Sequence, residues 1–139
     1  MTKRFFAVVV ILILPFILAA CVPSLGSKSK TPVAGQFVKG GVVGGFPENL
    51  PLFKGVRVIE SYGGGDAYGA TFIADEDVGK VVNFYNSALP QLGWQSTLSA
   101  SSETSYVFAI KNDTYSGTVV VNTASDGKKT AITMSVSVR

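Results

Sequence analysis

The sequence contains no histidine and a single cysteine. Without histidine, the commonest general base near neutral pH and the commonest metal ligand are both missing. Ser-His-Asp and Cys-His catalytic arrangements are therefore excluded. So are zinc sites built from several Cys and His residues. One thiol cannot close an intramolecular disulfide, which removes a disulfide-stapled scaffold. Charge is also scarce, at 15% of residues. Lys3 and Arg4 account for two of the twelve basic residues, leaving ten against nine acids beyond residue 20. That balance offers no clustered basic face for nucleic acid. No G-x-S-x-G elbow is present. The run "GGVVGG" is not followed by Gly-Lys-Ser/Thr, so it is no phosphate loop. A Ser-Lys pair is not excluded by composition, and paired carboxylates need a cleft that the sequence does not show. The expectation is a non-enzymatic protein with no metal site, no catalytic residues and no cofactor.

What is present begins with a leader. "MTKR" is a short positive segment, "FFAVVVILILPFIL" a continuous apolar one, and "AA" a small pair before Cys21. Positive, apolar, small is the layout of a secretory signal. The apolar run covers residues 5–20, short of the roughly 20 residues that a transmembrane helix needs. Pro15 also interrupts helix hydrogen bonding.

Leu18-Ala19-Ala20-Cys21 resembles the lipobox of bacterial lipoproteins. The resemblance covers the leader and the first mature residue. It implies diacylglycerol transfer to the Cys21 sulfur and recognition of Leu18, Ala19 and Ala20 by a signal peptidase. Cleavage before Cys21 follows, often with acylation, such as by palmitate, of the new amine. The implied product is an exported lipoprotein of the cell envelope. It is held on the outer face of the cell membrane or in an outer membrane, according to envelope type. Two acyl chains suffice for stable anchoring, since each buried CH₂ contributes about 0.8 kcal/mol.

Residues 22–45, "VPSLGSKSKTPVAGQFVKGGVVGG", have the Gly, Ser, Pro and Lys content of a linker. With the lipidated Cys21 they are read as a flexible tether over 21–45. Such a chain spans roughly 25–30 Å root-mean-square. Phe37 and Val38 are more apolar than a linker requires and are candidates for an added edge strand.

The domain is placed at 46–139. Pro47 and Pro51 make "FPENLPLFKG" an irregular lead-in. Val56–Tyr62 and Ala67–Ala74 read as strands joined by a turn at "GGGD". Val78, Val81, Val82, Tyr85, Ala88, Leu89 and Leu92 recur at helical spacing. Asp75 is the expected N-cap, with Glu76 and Asp77 in the first turn and Gly93 as the stop. Four more strands follow, with Trp94, Leu98 and Ala100 in alternate positions and Ser96 between them, then Tyr106, Phe108 and Ile110 alternating. The last alternates Ile132, Met134, Val136 and Val138 against Ser and Thr. "KNDT" and "SDGK" supply turns. The order β-β-α-β-β-β-β predicts an α+β fold in two layers, with the helix on one face of an antiparallel sheet.

"LPLFKGVRV", a helix containing "VVNFYNSAL", then "LGW" and strands, resembles small extracytoplasmic lipoprotein domains of bacteria. That resemblance implies a fold and carries no activity. The functional expectation is a membrane-anchored domain that binds or scaffolds an envelope protein, with a sheet edge as the simplest docking site. The alternative is a small-molecule or lipid-binding domain, with an apolar pocket between helix and sheet bounded by Tyr85, Phe108 and Val136.

Overall fold

The computed structural model describes residues 35–139. Leu18, Ala19, Ala20 and Cys21, with the leader they close, lie outside the described residues. Among the described residues there are seven strands and one helix. The strands are β1 (Gln36–Lys39), β2 (Arg57–Gly64), β3 (Ala67–Ala74), β4 (Gln95–Ser101), β5 (Ser105–Lys111), β6 (Tyr115–Thr123) and β7 (Thr130–Val138). The helix α1 (Val78–Gln91) falls between β3 and β4. All pairs are antiparallel, in the order β1-β2-β3-β7-β6-β5-β4. The α+β class holds, with one strand more than the predicted order. That strand is β1, the added edge strand for which Phe37 and Val38 were candidates, and it pairs Phe37 with Tyr62 and Lys39 with Glu60.

Topology follows from the helix. β3 lies near the middle of the sheet, and α1 carries the chain to the far edge, where β4 begins. The meander β4-β5-β6-β7 then returns until β7 meets β3. Period-two alternation gives the sheet an inner face of Ala70, Phe72, Met134, Ile132, Val119, Val121 and Phe108. Val81, Val82, Tyr85 and Leu89 of α1 join these residues in one buried cluster. Full burial of a side chain of this size contributes about 1.5–3 kcal/mol before entropy is counted. The outer face carries Thr71, Thr133, Ser135, Thr118 and Ala109 in register.

The helix start differs from expectation. Asp77, not Asp75, is the N-cap: its backbone is extended and its side chain accepts from the Lys80 amide at 3.0 Å. A cap must immediately precede the first helical residue to reach the N3 amide. Asp75 is two residues too early and instead pairs with Lys129 at 3.2 Å. Glu76 also precedes the helix and pairs with Lys80 at 2.7 Å. Its carbonyl accepts from the buried Thr130 hydroxyl at 2.7 Å, which ties the helix entry to β7. Gly93 ends the helix with φ +82°, a conformation that costs glycine little.

Not every residue of the apolar patterns is buried. Leu92 is the C-cap and is exposed rather than part of the buried stripe. Leu98 and Ala100 are exposed because β4 is an edge strand with a bulge between them. Trp94 is buried, but it lies between the turn at Leu92–Gly93 and the start of β4.

Candidate functional site

The inner face is covered twice, by α1 and by the lead-in segment 41–56. Ser61 on β2 fastens the start of that segment. Its hydroxyl accepts from the Val43 amide and donates to the Gly41 carbonyl, both at 2.8 Å. Val43 and Leu50 are buried. Further along, the Trp94 indole N–H donates to the Asn49 carbonyl at 2.8 Å. Phe46 meets Tyr68 edge-on at 6.5 Å, and Phe53 meets Phe84 edge-on at 5.3 Å. Trp94 stacks on Tyr115, which contacts Tyr68. These rings form two groups, Phe46-Tyr68-Tyr115-Trp94 and Phe53-Phe84-Tyr85, that join lead-in to sheet and lead-in to helix. Edge-to-face pairs of this kind contribute about 0.5–1.5 kcal/mol beyond area burial.

Tyr85 occupies the centre of this interior and is fully buried. Its hydroxyl has no hydrogen-bond partner. Burial pushes the phenol well above its usual range, and the nearby Phe53 backbone offsets only part of that effect. The Phe53 backbone thus lies close enough to act on the acidity, without meeting hydrogen-bond geometry. An unsatisfied buried hydroxyl costs about 1–3 kcal/mol. Among the described residues the Asn122 side-chain oxygen is likewise buried without a partner.

The residues expected to bound a pocket converge. Tyr85, Phe108 and Val136 are 0%, 1% and 2% exposed and belong to one hydrophobic cluster. They lie in a packed core that includes Leu50 of the lead-in, with Phe46, Phe53 and Val56 packed against it. Sequence reasoning missed that role: two prolines marked the segment as irregular, and no periodicity signalled burial. Among the described residues no His, Cys, Asp or Glu cluster is arranged to hold a metal ion. Asp113 lies in a turn, as does Asp66, whose carbonyl accepts from the Val138 amide at 2.7 Å.

A second feature lies on the opposite side of the sheet. Gln95, Thr97, Ala109, Lys111 and Ser116 line an open concavity of about 480 Å³ across β4, β5 and β6. Its polar groups come from outward positions of three strands. The only local signal for it was the hydroxyl-rich alternation of those strands.

No helix among the described residues is long and apolar enough to cross a membrane. Residues 56–129 match the family described as START domain-like. The match runs from the entry to β2 through the turn before β7 and includes the whole of α1. No curated protein and no solved structure matches the chain.

Proposed function

The chain belongs to the START domain-like family, and from that premise we propose that it binds a lipid or a similarly apolar small molecule between α1 and the sheet. START-like domains are helix-grip folds and generally binding domains. The observation that carries the reading here is the Tyr85 hydroxyl, a lone polar group without a partner in an apolar interior. Ligand sites have this make-up: mostly apolar walls with few polar groups to fix orientation. A ligand with one polar end satisfies the hydroxyl and places its apolar part against Phe53, Phe84 and Leu50. Entry requires segment 41–56 to move, because Leu50 belongs to the buried cluster and Phe53 packs against it. The domain acts at a membrane surface, held there by acylated Cys21, as the lipobox implies.

Trp94 is the only tryptophan, and its indole is bonded to the segment that must move. Titration with a lysophospholipid should therefore change its emission, and lipid should co-purify with the protein by mass spectrometry. Unchanged emission together with a lipid-free protein would refute the binding reading. The anchor is tested separately: labelled palmitate should enter wild type and be lost in Cys21→Ser. Equal labelling of both removes the anchor.

The second reading, docking of an envelope protein, is favoured by β4. This edge strand, Gln95–Ser101, carries no charge and no proline, two of the usual devices that block edge pairing, and its bulge between Leu98 and Ala100 leaves Gln95–Thr97 regular. An extended segment of a partner can add to it through main-chain hydrogen bonds. Thr97→Pro should abolish capture of such a partner in an envelope crosslinking pulldown. Identical capture by wild type and variant argues against it.

A further inference from the structure

Exposed apolar side chains are unevenly distributed. Phe37, Val42, Ile59 and Tyr62, four of the eight large exposed hydrophobics, lie on β1, β2 or the residues just after β1. Phe37 and Tyr62 are 60% and 48% exposed and face each other across the β1–β2 pair. On the same face the next pairs are Lys39 with Glu60 and Arg57 with Ile73, two bases against one acid. A phenol and a phenyl ring beside cationic side chains suit the interfacial zone of a bilayer, where aromatic residues sit at headgroup depth. Basic residues there are attracted to anionic lipid.

The position of this patch along the chain selects its occupant. Fourteen residues, 22–35, separate Cys21 from Gln36, the first residue of β1. Even fully extended, they reach no more than about 50 Å. Among the described elements, β1 is thus the one held closest, along the chain, to the acylated cysteine. A short tether raises the effective concentration of a second contact to the millimolar range, so weak intrinsic affinity suffices. We propose that the outer face of β1 and β2, centred on Phe37 and Tyr62, is a membrane-contact surface that seats the tethered domain against the bilayer. The proposal rests on the lipid-anchor reading. It places the opposite edge, β4, farthest from the membrane.

The test uses the lipidated full chain in vesicles containing phosphatidylglycerol. Acylated Cys21 has no free thiol, so Lys39→Cys introduces the single nitroxide attachment point, on the face of Phe37 and two residues from it. Thr97→Cys, at the far edge of the same face and about 29 Å away by strand spacing, is the reference. The Lys39 label should be several-fold more accessible to oxygen, relative to an aqueous nickel chelate, than the Thr97 label. Adding Phe37→Ser should remove that difference while palmitate incorporation stays unchanged. Equal aqueous accessibility at both positions overturns the proposal. Spin–spin broadening between Lys39 labels overturns it in favour of a second copy. Two labels per chain would show a free Cys21 thiol, and the anchor reading would fall along with the contact surface.

Discussion

The ring of Tyr62 lies over Gly69, its partner on the adjacent strand, and fills the volume that any side chain at that position would need. Gly117 has a different neighbour: a Cβ there runs into the Ser135 carbonyl of β7, with the Val136 Cα at 2.7 Å. The same substitution therefore has different consequences at the two sites. Gly69→Ala displaces a half-exposed ring that can swing into solvent, and should cost about 1 kcal/mol. Gly117→Ala forces two paired backbones apart and should cost about 3 kcal/mol, towards the upper end for overpacking. Urea unfolding of both variants checks the order; equal losses would mean that β6 and β7 yield as readily as the Tyr62 ring.

Tyr85→Phe should leave the ligand-free protein as stable as wild type or more stable by about 1 kcal/mol, because it removes an unsatisfied hydroxyl while keeping the ring. The pH dependence has a definite sign. Burial raises the folded-state pKa above the unfolded value of 10.0. Below pH about 10 the phenol is neutral in both states and its contribution is constant. At higher pH the unfolded chain loses the proton first, so stability falls as pH rises. Tyr85→Phe should show a shallower alkaline fall than wild type in denaturant titrations. Parallel alkaline limbs would place the Tyr85 hydroxyl in contact with water.

Asp77→Ala should destabilise the domain by about 1 kcal/mol through loss of the helix cap. Asp75→Ala removes only a surface pair with Lys129, worth well under 1 kcal/mol. Thermal unfolding of the two variants separates these roles, and a reversed order would relocate the cap to Asp75.

Trp94→Phe retains a ring against Tyr115 but loses the bond to the Asn49 carbonyl. A single hydrogen bond contributes about 1 kcal/mol. The expected readout is local: amides of the lead-in, such as Leu50, which bonds the Pro47 carbonyl at 3.2 Å, should exchange faster, while those in the centre of β7 stay protected. Uniform acceleration across the sheet would mean that the lead-in and the body open together.

Much of the fold was legible because its signals are local. The helical stripe was visible in Val81, Val82, Tyr85 and Leu89, and Gly93 marked the stop. Alternation assigned Phe72, Phe108, Ile132 and Met134 to the buried face, and the turns at Gly63–Asp66 and Asp126–Gly127 were evident from residue type. The candidate site was legible in part. Tyr85, Phe108 and Val136, expected to bound a pocket, share one buried cluster with Leu50 of the lead-in, and Phe53 packs against it. No local pattern distinguishes an irregular segment lying in solvent from one that covers a core.

By itself, the sequence determined the elements, their buried faces and the classes of chemistry that absent histidine rules out, because periodicity and composition are properties of neighbouring residues. Tertiary structure alone decided that β7 inserts between β3 and β6, that Leu98 lies on an open edge, and that Asp77 rather than Asp75 caps the helix. It also decided that β1 joins the sheet and that the Tyr85 hydroxyl is stranded among apolar groups. Each of these depends on which distant residues come to lie within a few ångströms of one another, and spacing along one chain does not encode that separately from the packed whole.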